Sequence, residues 1–443
     1  MSEVTEKSLR QLFYDGDKKN QADNDDVLMV QNITTPTPEN SKMIRQEHFL
    51  HPSTTKPLDE IDIATSSLIL LSGSGETKTA HKISSDVLLP YLNNVPKSPQ
   101  GEGTEASPFL IETFGNLLWM SEHYTDIGVS ENTYFLQTRN IDASYSRELD
   151  SGKGFLPICS SVSYRFSGIY DGGGYSIIGL YINRPESSYA GLFGLMNSTG
   201  VVKNIIAENF FIRADSCAGA ITGMSLGSIQ SCGAVNLNAS TYKSSSSRLG
   251  GIVGIVSGSA VIENCFAKNI TLSGNQKVGG IVGDILAVTV SVTSCYVKKG
   301  FLSGDSHVGG LSGNGRGIVS FCHTNIEVRA RYYGGGLFGF TLSPSVCQCY
   351  SAGKVTTLIE NRCGGLAENS FTGSDCFWDI DSSGITTSGG GTGLSIYDMC
   401  IVSDNPLYNK FVEANWDFTT VWEIDKFGIN DGYPILRSLK GSY

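Results

Sequence analysis

Short apolar bursts bracketed by glycine dominate the pattern of this chain, and one of them recurs. It reads Gly191-Leu-Phe-Gly194, Gly219-Ala-Ile-Thr-Gly223, Gly251-Ile-Val-Gly254, Gly280-Ile-Val-Gly283, Gly310-Leu-Ser-Gly313, Gly336-Leu-Phe-Gly339 and a decayed Gly365-Leu-Ala. First glycines lie 28, 32, 29, 30, 26 and 29 residues apart. A near-constant period in this range predicts stacked supersecondary units, each burying its neighbour's apolar face.

A second periodic feature supports the first. Cys232, Cys265, Cys295, Cys322, Cys349 and Cys376 follow their tetrads by 11 to 15 residues, at one site per repeat. Stacked inward positions of this kind predict a ladder of small, buried, free thiols rather than disulfides or metal ligands. Cys217 and Cys363 stand two residues before their tetrads, where Val278 and Val308 stand in other repeats. Thiol exchanging with valine at one site reads as core packing.

Outside the repeats the pattern changes. Residues 1–95 hold no tetrad and carry a duplication with matching positions 40 to 41 residues apart. Asp26-Val-Leu-Met-Val30, Lys42-Met-Ile44 and Glu47-His-Phe-Leu50 correspond to Ser67-Leu-Ile-Leu-Leu71, Lys82-Ile83 and Asp86-Val-Leu-Leu89. Each copy predicts strand, turn, strand, short helix. Residues 96–104 are a Pro/Gly linker, 105–190 the start of the solenoid and its N-terminal cap, 191–365 the repeats, and 366–443 a C-terminal cap. Strands are predicted at Ala106–Ile111, Tyr134–Gln137 and Asn140–Asp142, and a short helix at Gly115–Met120. Leu70-Leu-Ser-Gly-Ser-Gly-Glu-Thr-Lys78 is no phosphate loop, because Thr77 stands where glycine must precede the lysine.

Composition narrows the class. Of 443 residues 52 are glycine and only 17% are charged, which suits tight β corners and opposes a helical solenoid. A net charge of −11 argues against a nucleic-acid surface. The first 26 residues are charged and polar, without the apolar core of a secretion signal. The expected fold class is all-β, a β-solenoid preceded by a small mixed region.

Several segments resemble GLUG-repeat proteins. Gly103-Thr-Glu-Ala-Ser-Pro-Phe-Leu-Ile111, Asn140-Ile-Asp142, Phe166–Ile182, the pairing of Gly-Gly-Ile-Val-Gly with Asn264-Cys-Phe-Ala267, Phe377-Trp-Asp379 and Gly432-Tyr-Pro-Ile-Leu436 carry the likeness. The resemblance implies a right-handed parallel β-helix. Residues 1–95 resemble the virion-attachment modules of phage tail fibres and tailspikes, on Leu68-Ile-Leu-Leu71, Glu76-Thr-Lys78 and Val87-Leu-Leu89.

The expected function is therefore that of a tail-fibre or tailspike component in the virion. Residues 1–95 would join other tail or baseplate proteins, and the solenoid and its C-terminal end would recognise a host-surface glycan or outer-membrane receptor. Resemblance to tailspikes implies a homotrimer. No cofactor, metal or nucleic acid is expected. Two alternatives stand beside this: a bacterial surface adhesin, and a polysaccharide-depolymerising tailspike. For the depolymerase no catalytic residue is assigned; Asp171, Asp375, Asp379, Asp381, Glu327, Glu360 and Glu368 are the carboxylates weighed. His48 and His51 are the one close histidine pair. The aromatic-rich C terminus supplies the receptor candidates, Trp378, Asp379, Trp416, Trp422 and Tyr433, read either as cap packing or as an exposed sugar-stacking platform.

Overall fold

The structure, a computed structural model, describes residues 93–124, 130–242, 246–359, 362–400 and 409–443, together with the backbone of five strands before residue 93. Residues 109–378 wind as a parallel β-solenoid of about nine turns, as the glycine period predicts. One turn gives the plan. Lys277–Gly279 leads in, Val282–Ile285 carries the tetrad, Ser291–Thr293 is the third strand, and Tyr296–Gly304 closes the turn. Each strand pairs in parallel with its counterpart one turn on: Val278 with Val308, Val282 with Ser312, Val292 with Val319, Tyr296 with His323.

The glycines are explained by close approach. A Cβ on Gly280 would stand 2.3 Å from the Gly310 carbonyl oxygen and 2.6 Å from Val297 Cγ2. The last tetrad glycine faces the lead-in strand of the turn before: a Cβ on Gly313 would meet Val278 N at 2.6 Å. Two backbones stack there with nothing between them. The register also revises one repeat. Phe193 pairs with Thr222 and Thr222 with Val253, so Ala220-Ile-Thr-Gly223 is the true tetrad and Gly219 precedes it. For the same reason Cys217 pairs with Arg248 and is not equivalent to Val278, whereas Cys363 does share a column with Val278 and Val308.

The thiol ladder is present. None of the eleven cysteines forms a disulfide, and the six repeat cysteines are 0–1% exposed. Each stands just after a residue in the left-handed region: Ser231, Asn264, Ser294, Phe321, Gln348 and Asp375 have φ between 47° and 59°. That residue turns the chain from third strand to closing strand. The thiol that follows points inward and donates back to the carbonyl two residues earlier, as Cys265 Sγ does to Glu263 at 3.2 Å. Burial pushes the Cys232 and Cys265 thiols well above their ordinary range, so they stay protonated and inert. Asn209, Asn236 and Asn269 make a second left-handed corner and form their own ladder, with amide contacts of 3.0 and 3.3 Å.

Before the repeats, Phe109–Ile111, Tyr134–Gln137 and Ile141–Asp142 are strands and Phe114–His123 is a helix, close to expectation. In the N-terminal unit Val27–Asn32 pairs antiparallel with Ser41–Arg45, and Ser66–Ser72 with Thr79–Ile83. The two hairpins meet through Val27–Asn32 and Ser66–Ser72 in one five-stranded sheet. Two antiparallel strand pairs thus stand at the expected strands; the linking segments and the two expected helices at 47–50 and 86–89 lie outside the described residues.

Candidate functional site

The structure brings the C-terminal candidates together, but in the interior. Trp378, Trp416, Trp422 and Tyr433 are at most 5% exposed and Asp379 is fully buried. Trp416 and Trp422 rings lie 4.5 Å apart, and both pack on Tyr350. Their polar handles are mostly used inside: Trp416 Nε1 donates to Asp375 O at 3.0 Å and Trp378 Nε1 to Ile385 O at 2.9 Å. Asp379 caps the helix Ile380–Ser383, accepting from Asp381 N and Ser382 N, and also accepts from the Tyr433 hydroxyl. The exposed sugar-stacking platform is therefore corrected. Rings with apolar partners on both sides and internal acceptors offer no face to a sugar.

What these rings cover was not anticipated. The residue after each of five consecutive ladder thiols is aromatic: Phe266, Tyr296, His323, Tyr350 and Phe377 fall in register on successive closing strands. Phe266, Tyr296, His323 and Tyr350 stack in order, with centroids 5.5, 5.3 and 4.7 Å apart and planes within 13°. The C-terminal segment straps this column along the side of the solenoid. Tyr443 stacks on Tyr296 at 4.3 Å, Tyr296 Oη donates to Ser442 O at 2.7 Å, and Tyr350 Oη donates to Pro434 O at 2.7 Å. The repeated Cys-aromatic pair was the signal available in the sequence.

His323 is the weak point of the strap. It is fully buried, its Nε2 lies 2.6 Å from Tyr443 Oη, and its Nδ1 has no partner among the described residues. Burial, with Lys298 adding to it, holds its pKa well below the ordinary histidine value. A depressed histidine confers stability at neutral pH that is lost as pH falls below the unfolded value near 6.5, by about 1.4 kcal/mol per pH unit. Strap docking should therefore weaken on acidification from pH 7.5 to 5. Tryptophan fluorescence reports it, and His323→Phe, which keeps a ring that cannot charge, should flatten the slope.

A different face is open. In the second half of the closing strands, Ile182, Ile212, Ala239, Leu272, Leu302 and Val328 point inward and are at most 1% exposed. Alternation sends their neighbours outward in two columns. One is Tyr181, Phe211, Asn238, Thr271, Phe301 and Glu327; the other is Asn183, Arg213, Ser240, Ser273, Ser303 and Arg329. Tyr181 and Phe211 stack at 4.9 Å and 9°, with Arg147 over Tyr181 at 4.7 Å. Arg213 lies over Tyr242 and Arg329 over Phe301, at 5.0 and 4.9 Å. Partly exposed ring edges beside hydroxyl, amide and guanidinium groups can contact and hydrogen-bond to a polyhydroxylated ligand.

Of the weighed carboxylates, Asp171, Asp379, Asp381 and Glu327 have hydrogen-bond or ion-pair partners, and Glu368 is half-buried beside the last tetrad. Asp171 Oδ1 accepts from Gly173 N and Asn204 Nδ2, both at 2.9 Å, as a turn-capping residue does. Asp375 occupies a left-handed corner, Asp381 accepts from Ile396 N, and Glu327 pairs with Arg329 at 3.0 Å. Glu360, His48 and His51 lie outside the described residues. Among the described residues no group of three or more His, Cys, Asp or Glu side chains could hold a metal ion.

No family model and no solved structure matches this chain. It is similar to a protein described as a Gly-rich membrane protein of Evansella cellulosilytica, 27% identical over 409 residues, covering 75% of this chain and 45% of that protein. It is also similar to halomucin of Haloquadratum walsbyi, 27% identical over 218 residues, 43% of this chain and 2% of that one. The chain spans less than half the length of either relative.

Proposed function

We propose that this chain is a non-enzymatic recognition protein of the GLUG-repeat kind, whose solenoid is a stiff body and whose open lateral face binds a surface glycan. The supporting observation is the pair of outward columns, in which stacked Tyr181 and Phe211 adjoin Asn183 and Arg213. In this reading residues 1–95 join a phage tail and the particle is a trimer. A cell-surface adhesin is the second reading, favoured by the word membrane in the description of one relative.

Binding to host lipopolysaccharide or capsule tests the proposal. Removing both rings, Tyr181→Ala with Phe211→Ala, should weaken binding roughly tenfold, the scale of two lost ring contacts. Unchanged affinity would reject this face. Released reducing ends would point instead to the depolymerase, and mass by light scattering separates one chain from three.

A further inference from the structure

A second site stands in the column formed by the lead-in strands. Register aligns Arg248 with Lys277, and the pairs Val278–Val308, Val308–Gly334 and Gly334–Cys363 carry the same column on to His307, Tyr333 and Arg362. Five rungs at about 4.8 Å make a track of about 19 Å.

Its floor is a fully buried carboxylate. Tetrad strands put Leu195, Met224 and Ile255 at one position on successive turns, and then Asp284. Asp284 Oδ2 takes both Arg248 Nε at 2.9 Å and Lys277 Nζ at 2.7 Å, while Oδ1 accepts from Asn314 Nδ2 at 2.8 Å. A buried carboxylate in an apolar column is poor value for stability, because its desolvation cancels most of the attraction. It does hold two cations side by side, with their side chains 25% and 20% exposed. One carboxylate balances only one of them.

The track continues as rings and a third cation. His307 lies 5.0 Å from both Tyr333 and Phe340, and its Nδ1 has no partner among the described residues. Arg362 covers the Tyr333 ring at 5.0 Å and donates to its hydroxyl at 2.7 Å. Three cations and one carboxylate on five rungs oppose the −11 charge of the whole chain.

We propose that this track binds the acidic groups of a linear polysaccharide, with carboxylates or sulfates against Arg248, Lys277 and Arg362. The ion pair to Asp284 fixes the first two cations in advance, so little side-chain entropy is lost on binding. This site shares no residue with the Tyr181–Phe211 face and does not depend on it.

Polygalacturonate is the probe, with neutral dextran and inorganic sulfate as comparisons, measured by calorimetry on the full chain. Polygalacturonate should bind and dextran should not. Lys277→Gln leaves Asp284 paired to Arg248, and Arg362→Gln does not touch it; each should weaken binding about tenfold or more, as loss of a charge-assisted contact does. Melting temperatures of both variants should stay near that of the parent. The losses from Lys277→Gln and Arg362→Gln should be as large in a Tyr181→Ala, Phe211→Ala background as in the parent, which assigns them to the track. Equal binding of dextran, no binding of polygalacturonate, or full affinity in both Gln variants would overturn the proposal. Binding of sulfate alone at the same affinity would also overturn it, by reducing the track to a simple anion site.

Discussion

Gly280→Val should lower the unfolding free energy by about 3 kcal/mol or more, the range of severe overpacking in a close-packed interior. The new Cβ would fall 2.3 Å from Gly310 O and 2.6 Å from Val297 Cγ2. Neither neighbour can withdraw, since Gly310 is held by Gly280 N and Val297 pairs on both sides. Ala220 shows the boundary of this rule. It occupies the same tetrad position and carries a Cβ there. Gly441→Ala, with open space around its Cβ site, should be close to neutral. Thermal or urea unfolding of the three chains checks the order. Equal midpoints for Gly280→Val and Gly441→Ala would remove the steric account of the repeat.

Trp422→Ala should undock the C-terminal strap. Its ring is fully buried between Trp416, Tyr350 and His323, and its Nε1 has no acceptor among the described residues, so apolar packing is what it supplies. Truncating a buried tryptophan costs about 3 to 5 kcal/mol. The loss falls on contacts between the strap and the aromatic column. We expect protease cleavage after residue 400, dye binding at exposed rings, and lost near-ultraviolet dichroism, with the far-ultraviolet β signal retained. Simultaneous loss of both signals would mean that strap and solenoid unfold as one unit.

The sequence showed different parts of this molecule with different clarity. Tetrads and thiols were plain because each sits at a fixed position of a unit and touches its copy one rung away. The one slip, at Gly219, came from a neighbouring glycine that mimicked the tetrad; only pairing of Thr222 with Val253 fixed the frame. The candidate site was less visible. Trp416, Trp422 and Tyr433 were rightly singled out as belonging together, yet aromatic content does not say which side of a ring meets water. Tyr181, Phe211 and Arg213 were passed over because no repeat marks them, and their meaning depends on stacking across turns.

The period, the glycines and the small inward thiols alone determined that the repeats at 191–365 coil into a solenoid, since every rung solves the same local packing problem as the next; the structure extends the coil to residues 109–378. Tertiary structure alone decided which lateral face is covered. The contact of Tyr296 with Ser442 spans 146 residues, and no spacing rule reaches that far. Coverage depends on the fit of one folded surface to another, and a surface exists only after the chain has wound.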